Sequence, residues 1–316
     1  MKVLVTGGAG FIGSHLCDRL LSEGERVVCV DNFDAFYPRA VKEDNLRGCV
    51  GNRNFVLREV DVRDGRGLDG VVSDFSPDVI VHLAAKAGVR PSLSNPLEYA
   101  EVNVNGTLNV LESARRNGIG RVVFGSSSSV YGNSKDVPFR ENGGLNPISP
   151  YAASKIAGEL YCRMYNRLYG IKVSCLRFFT VYGPRGRPDM APFKFTRLVD
   201  GGMPIEVYGD GSSRRDYTFV SDIVDGIMLA LGKEFDFEVF NLGESRTTML
   251  KDFIAIIEGE LEKKATVRRL PMQAGDVKVT FADISKAKRK LGYRPHVPVE
   301  EGMKEFIMWY RSRPSC

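Results

Sequence analysis

Tyr151 and Lys155 stand four residues apart at the head of the stretch SPYAASKIAGELYCRMYNRLYG. On a helix, positions i and i+4 share one face. A phenol and an ammonium held side by side can act together: the cation stabilises the phenolate, lowers the tyrosine pKa and makes Tyr151 a proton acceptor near neutral pH. Taken alone, Tyr-x-x-x-Lys fits a solvated helix face equally well. The chain's first forty residues weight the choice toward chemistry.

The opening, MKVLVTGGAGFIGSHLCDRLLSEGERVVCVDN, runs from a short apolar strand (Lys2 to Thr6) into Gly7, Gly10 and Gly13 at G-x-x-G-x-x-G spacing. Phe11 to Ser22 has helical periodicity with Gly24 as a stop, and a second strand-like run, Arg26 to Val30, ends in Asp31. Strand, glycine turn, helix and acid-tipped strand make a dinucleotide-binding unit. Gly7 permits the tight turn, Gly10 lets backbone amides approach a pyrophosphate, and Gly13 lets helix and strand pack closely. The pyrophosphate is expected at the helix N-terminus, where free N–H groups and the helix dipole favour an anion. Asp31, eighteen residues past Gly13, is placed to accept from an adenosine ribose and would repel a 2′-phosphate, which favours NAD over NADP.

The elements that position these residues repeat the same rhythm. Asn54 to Val60, Asp78 to His82, Arg121 to Gly125 and Val173 to Arg177 read as further strands, and Leu97 to Asn117 as a long helix. This alternation predicts an α/β Rossmann fold with a doubly wound parallel sheet, whose ligands collect at the carboxyl ends of the strands. The unusual residues sit at those ends: Asp31, Asp61, Ala84 to Arg90, Ser126 to Ser129 and Phe178 to Arg187. After about residue 180 glycine and proline break the rhythm. Residues 1–180 are therefore expected to form the dinucleotide-binding domain, with about 215–245 returning to it, and 181–316 mainly a smaller α/β substrate lobe. Helices are expected over about Leu250 to Leu261 and Val299 to Arg311.

Composition bounds the function. Of 316 residues, 43% are hydrophobic and 26% charged, ordinary for a soluble enzyme. The net charge of +5, without a basic cluster interleaved with aromatics, argues against nucleic acid. No apolar run reaches the ~20 residues of a membrane span, and the N-terminus enters a strand directly, so a cytoplasmic protein without a signal peptide is expected. Six cysteines and three histidines (His15, His82, His296) show no metal or disulfide spacing, so no metal is expected. His82 reads as a packed strand histidine, His15 and His296 as lacking ligand companions, and Trp309 as core.

The segments TGGAGFIGSHL, Asp31-Asn32, Asp61-Val62, HLAA at 82–85, SSSSVYG at 126–132, Tyr151-x-x-x-Lys155, RRDYTFVSD at 214–222 and the GD at 275–276 together resemble the extended short-chain dehydrogenases/reductases, specifically nucleotide-sugar epimerases, over nearly the whole chain. HLAAKAGVRPSLSNP, DNFDAFYPRAVKEDNL and FFTVYGPRGRPDMAPFKFT narrow the resemblance to UDP-glucuronate 4-epimerases. It implies a cytoplasmic homodimer, paired through helices at 97–117 and 150–169, that inverts C4 of UDP-glucuronate. The Tyr151 phenolate takes the 4-hydroxyl proton, C4 gives its hydride to NAD, and the ketone turns and recovers it. Ser127 would bond the reacting oxygen, with Ser128 able to share that role, and Lys155 would hold the nicotinamide ribose. The cofactor contacts it implies are Gly7, Gly10, Phe11, Ile12, Gly13, Asp31, Asn32, Asp61, Val62, Leu83, Ala84, Ala85, Lys86, Asn103, Ser126, Tyr151, Lys155, Phe178 and Val181. Substrate contacts are Arg90, Ser127, Ser128, Tyr151, Thr180, Arg187, Val207, Arg215 and Asp276.

A guanidinium suits a sugar carboxylate because its donors engage two oxygens. Arg90 and Arg187 both fall at expected cleft loops, where either could instead bind pyrophosphate or lie in solvent; the resemblance favours Arg187. Arg215 resembles the phosphate-binding arginine, and Gln273 replaces an arginine found in some relatives. Related decarboxylases and 4,6-dehydratases usually carry an acid directly after the Ser127 position. Ser128 stands there, which argues against proton transfer at C5. The readings left beside the uronate epimerase are a UDP-glucose or UDP-N-acetylglucosamine 4-epimerase, a nicotinamide-dependent reductase or a UDP-glucuronate decarboxylase with net redox chemistry, a 4,6-dehydratase, and a non-catalytic NAD sensor.

Overall fold

The computed structural model describes residues 1–271 and 277–313. The chain opens with β1 (Lys2–Thr6), α1 (Phe11–Ser22), β2 (Arg26–Asp31), α2 (Arg39–Asn45), β3 (Phe55–Glu59), α3 (Gly65–Phe75) and β4 (Val79–His82). Then α4 (Val89–Ser94) and α5 (Pro96–Ala100) lead through a π-helical turn (Glu101–Asn105) into α6 (Gly106–Arg116). β5 (Arg121–Ser127), a 3₁₀ turn (Ser128–Tyr131), α7 (Pro150–Tyr169) and β6 (Lys172–Phe178) follow. Next come β7 (Thr180–Tyr182), α8 (Ala191–Asp200), β8 (Ile205–Tyr208), β9 (Arg214–Arg215), β10 (Tyr217–Phe219) and α9 (Val220–Leu231). The chain closes with β11 (Phe237–Leu242), β12 (Thr248–Met249), α10 (Leu250–Leu261), β13 (Val267–Leu270), α11 (Ser285–Leu291) and α12 (Val299–Arg311).

Seven strands form one parallel sheet in the order β3-β2-β1-β4-β5-β6-β11. Helices cover both faces, which is why β1, β2 and β4 are almost wholly apolar and buried rather than alternating. The strand order reverses between β1 and β4, and a crevice opens at such a point. The chain leaves this sheet after β6 and returns to it with β11, which pairs with β6 from Phe237↔Val173 to Leu242↔Phe178. A separate apolar core, built on Tyr182, Phe195, Val207, Phe253 and Phe306, holds the later small sheets to α8, α10 and α12. Trp309 packs against that core, edge-on to Phe193.

Helix α7, which carries Tyr151 and Lys155, has a complete local code. The Ser149 hydroxyl accepts from the Ala152 N–H at 3.1 Å, Pro150 occupies the first turn, and Gly170 ends the helix in the left-handed conformation. The expected single helix over 97–117 is instead interrupted by the π turn at Glu101–Asn105. The wider turn brings in Asn103, which exchanges hydrogen bonds with the Lys86 backbone (2.8 and 2.9 Å) and reaches the Ser154 hydroxyl at 2.9 Å.

Candidate active site

A cleft of about 440 Å³ opens at the carboxyl ends of β1, β2, β4, β5 and β6, within the range of ligand sites. At its floor lies the glycine turn. Gly7 has φ of +72°, and a Cβ there would meet the Ala84 nitrogen at 2.7 Å. A Cβ on Gly13 would lie 2.2 Å from the Gly7 carbonyl oxygen, so α1 packs at a distance only glycine allows. The Asp31 carboxylate at the tip of β2 accepts from the Ala9 N–H (3.1 Å), the Phe33 N–H (2.8 Å) and the buried Lys42 ammonium (3.3 Å). Beside it, Asp61 accepts from Asn32 at 2.8 Å and from Arg63 at 2.7 Å. The Arg63 guanidinium chiefly holds its carboxyl down at about 2.

Ser127, Tyr151 and Lys155 line the same cleft. The Tyr151 ring meets Tyr99 edge-on at 6.2 Å. Burial raises the phenol pKa, while the Ser127 hydroxyl and the Arg187 guanidinium lower it. The Lys155 ammonium is buried and donates to the Gly125 carbonyl at 2.8 Å, and burial pushes it down to about 8. Ser127 and Arg187 thus lower the phenol pKa, and the Lys155 ammonium is engaged by a strand carbonyl. Ser127 shares a hydrogen bond with the Ser129 hydroxyl at 3.1 Å. Arg187 forks onto Asp189 at 3.0 and 2.6 Å, reaches the Ala87 carbonyl at 3.4 Å and lies over the Phe36 ring.

A glycine-turn floor, an acid-tipped second strand and a serine–tyrosine–lysine cluster occur here in one cleft. The family model for GDP-mannose 4,6 dehydratase matches residues 4–306. The chain belongs to that family of nucleotide-sugar epimerases and dehydratases. It is 48% identical to an uncharacterized protein of Methanocaldococcus jannaschii over 98% of this chain and 96% of that one. It is 41% identical to the UDP-glucuronate 4-epimerase of Thermodesulfobacterium geofontis over 97% of this chain and 95% of that one. The UDP-glucuronic acid 4-epimerase of Bacillus cereus, solved with UDP-glucuronic acid and NAD, superposes with a TM-score of 0.94 at 35% identity, covering 98% and 99% of the two chains.

Within this family frame, most of the expected positions converge. Gly7, Gly10, Phe11, Ile12, Gly13, Asp31, Asn32, Asp61, Val62, Leu83, Ala84, Ala85, Lys86, Ser126, Ser127, Ser128, Tyr151, Lys155, Phe178, Thr180, Val181, Arg187 and Arg215 all line the cleft. Three expected positions do not. Arg90 lies on α4 rather than in a loop, and its guanidinium stacks over the Tyr208 ring at 4.2 Å. Val207 is buried in the second core, because β8 turns it away from the cleft. Asn103 sits behind the lining, bonded to the Lys86 backbone. Asp276 and Gln273 fall outside the described residues.

The cleft also contains Tyr37 and Lys42, which neither motif nor spacing singled out. Their signal lay in DNFDAFYPRAVKEDNL, where a lone lysine on a short helix has no sequence mark as a partner of Asp31. Another correction concerns His296, which does have acidic companions: its Nδ1 lies 2.8 Å from Asp222, with Asp225 beside them. Asp222 is already occupied by the N–H groups of His296 and Val297, so it serves as a brace for that turn. His82 is packed as expected, between the hydroxyls of Thr6 and Thr107.

Gly13→Ala tests the close approach. With the Cβ directed at a backbone oxygen rather than a flexible side chain, the substitution is expected to cost ~1–3 kcal/mol and to release bound dinucleotide. Thermal unfolding, and the nucleotide absorbance recovered from the purified protein, check both.

Proposed function

We propose that this chain is an NAD-dependent UDP-glucuronate 4-epimerase that yields UDP-galacturonate. The observation that carries the reading is the meeting of Ser127, Tyr151 and Arg187 in one cleft beside the glycine turn. Dinucleotide binding is supported by the fit of the floor: glycines where any side chain would fill the space, and a buried carboxylate at the end of β2. NAD, when bound, supplies reversible two-electron chemistry at C4 of the sugar.

The remaining steps fall to this chain's own residues. The Tyr151 phenolate takes the proton of the 4-hydroxyl and returns it to the same oxygen once C4 has regained its hydride on the other face. Ser127 donates to that oxygen and holds it against the phenol. Lys155 holds the nicotinamide ribose and adds a positive charge on the α7 face that bears Tyr151. Arg187 holds the C6 carboxylate, and Arg215 lies at the diphosphate end. A 4-keto uronate loses CO₂ readily if its carboxylate bond aligns with the ketone. Fixing the carboxylate prevents that alignment. Ser128 follows Ser127 where proton transfer at C5 would need an acid or base. Among the described lining residues, the carboxylates of Asp31, Asp34 and Asp61 are bonded to Lys42, Lys86 and Arg63 respectively.

One observation favours a neutral sugar instead: Arg187 already has a carboxylate partner in Asp189. The deciding experiment is NMR of the purified protein with UDP-glucuronate and no added reductant. UDP-galacturonate, without CO₂ loss or net NADH, is the expected outcome. Turnover of UDP-glucose or UDP-N-acetylglucosamine alone would move the substrate assignment, and UDP-xylose or a 4-keto pentose would overturn the role given to Ser128.

We further infer a cytoplasmic homodimer. Leu160 and Leu168 on α7 are 61% and 63% exposed, and with Met164 between them at i+4 they form an apolar stripe facing outward. Leu97 on α5 is also exposed. The five described cysteines are free thiols, which suits a reducing compartment. No helix among the described residues is long and apolar enough to cross a membrane. Replacing Leu160 and Leu168 together with Glu is expected to shift the protein from dimer to monomer, read by light scattering on a sizing column.

A further inference from the structure

Glu159 lies one turn beyond Lys155 and two beyond Tyr151, on the same face of α7. Its carboxylate is buried and fully engaged. One oxygen accepts from the Ser126 hydroxyl at 2.5 Å and from Arg177 Nε at 2.8 Å; the other accepts from Arg177 Nη2 at 2.7 Å. Arg177, also buried, donates through Nη1 to the Tyr131 hydroxyl at 2.8 Å, which donates to Asn241 Oδ1 at 2.6 Å. Asn241, on β11, donates in turn to the Phe139 carbonyl at 2.8 Å. A continuous polar chain thus runs behind the cleft from α7 through β5 and β6 to β11.

The position of this chain matters more than its charge. Ser126 directly precedes Ser127, and Ser126 pairs in register with Arg177 on the neighbouring strand. Gly125, the residue before Ser126, is held through its carbonyl by Lys155. The two residues that lead into Ser127 are therefore each tied to α7, at one and two turns from Tyr151. A buried ion pair is often replaceable by apolar residues with no loss of stability. Its value here is direction: a forked arginine fixes the carboxylate, and the carboxylate fixes one hydroxyl.

We propose that Glu159 is the positioning residue for the Ser127–Tyr151 pair, setting the offset of the end of β5 against α7 through the Ser126 hydroxyl. Arg177 immobilises it for that task. The kinetic readout of this proposal rests on the epimerase reading; the spectroscopic one does not.

The test uses Ser126→Ala and Glu159→Gln in the full chain. Ser126→Ala removes the grip and leaves the ion pair intact. Its unfolding temperature is expected to stay near that of the parent, kcat for UDP-glucuronate to fall about 10- to 100-fold, and KM to change by less than about threefold. Tyr151 ionisation, read as the ultraviolet difference between each protein and its Tyr151→Phe counterpart, should move up by roughly half a unit or more as Ser127 ceases to support the phenolate. Glu159→Gln should show the same kcat loss together with a lower unfolding temperature, because Arg177 is left without its counter-charge. Parent-like kcat and Tyr151 titration in Ser126→Ala would overturn the proposal. So would a Glu159→Gln protein that loses only stability and turns over normally where it is folded. If the parent converts no UDP-sugar the epimerase reading fails, and the substrate-free tyrosine titration still decides the positioning role.

Discussion

Tyr151→Phe is expected to lower kcat for UDP-glucuronate by about 10²- to 10⁴-fold while leaving the fold and the bound cofactor in place. The phenylalanine ring keeps the edge-on contact with Tyr99, so the cleft wall is preserved. What is lost is the oxygen that faces Ser127 and carries the proton. Burial raises the Tyr151 pKa, so the phenolate fraction, and with it kcat, should rise with pH until Lys155 begins to lose its own proton at about 8. Tyr151→Phe should flatten the rising limb and keep KM within a few-fold, measured by NMR turnover across pH. A variant with the parent's rate would remove Tyr151 from the chemistry and leave the serine run without a base.

Arg187→Ala separates the uronate reading from the neutral-sugar one. Losing a charge-assisted hydrogen bond to a carboxylate costs ~1.5–3 kcal/mol, so kcat/KM for UDP-glucuronate should fall about 10- to 150-fold. UDP-glucose, which has no carboxylate at C6, should change by no more than about threefold. Arg187→Lys should recover little, since an ammonium cannot present two parallel donors. Equal losses on both sugars would mean that Arg187 acts through Tyr151 or the diphosphate, for it also lowers the phenol pKa. Its fork onto Asp189 means that an incoming carboxylate must share or displace an internal one.

Features encoded by neighbouring residues were legible before folding. The glycine turn, the acid at the end of β2 and the start and stop of α7 are all written locally: Gly7 to Gly13, Asp31, Ser149-Pro150 and Gly170. α10 and α12 likewise have the expected bounds. Features that depend on which distant segments meet were not. One extra residue in the turn at Glu101–Asn105 leaves the hydrophobic period almost unchanged yet brings Asn103 inward. Val207 has the composition of a cleft wall and the position of a core residue. Lys42 beside Asp31, Asp189 beside Arg187 and Arg177 beside Glu159 are pairings that only the completed tertiary fold creates.

The return of β11 to the edge of the parallel sheet has a consequence for synthesis. When the chain has emerged only through β6, the outer edge of that strand shows a row of unsatisfied backbone donors and acceptors. Ser127, Tyr151 and Lys155 have by then all been made, but Asn241, the far anchor of the polar chain behind them, has not. A fragment cut after Phe178 would carry Ser127, Tyr151 and Lys155 and still present an adhesive edge to its neighbours.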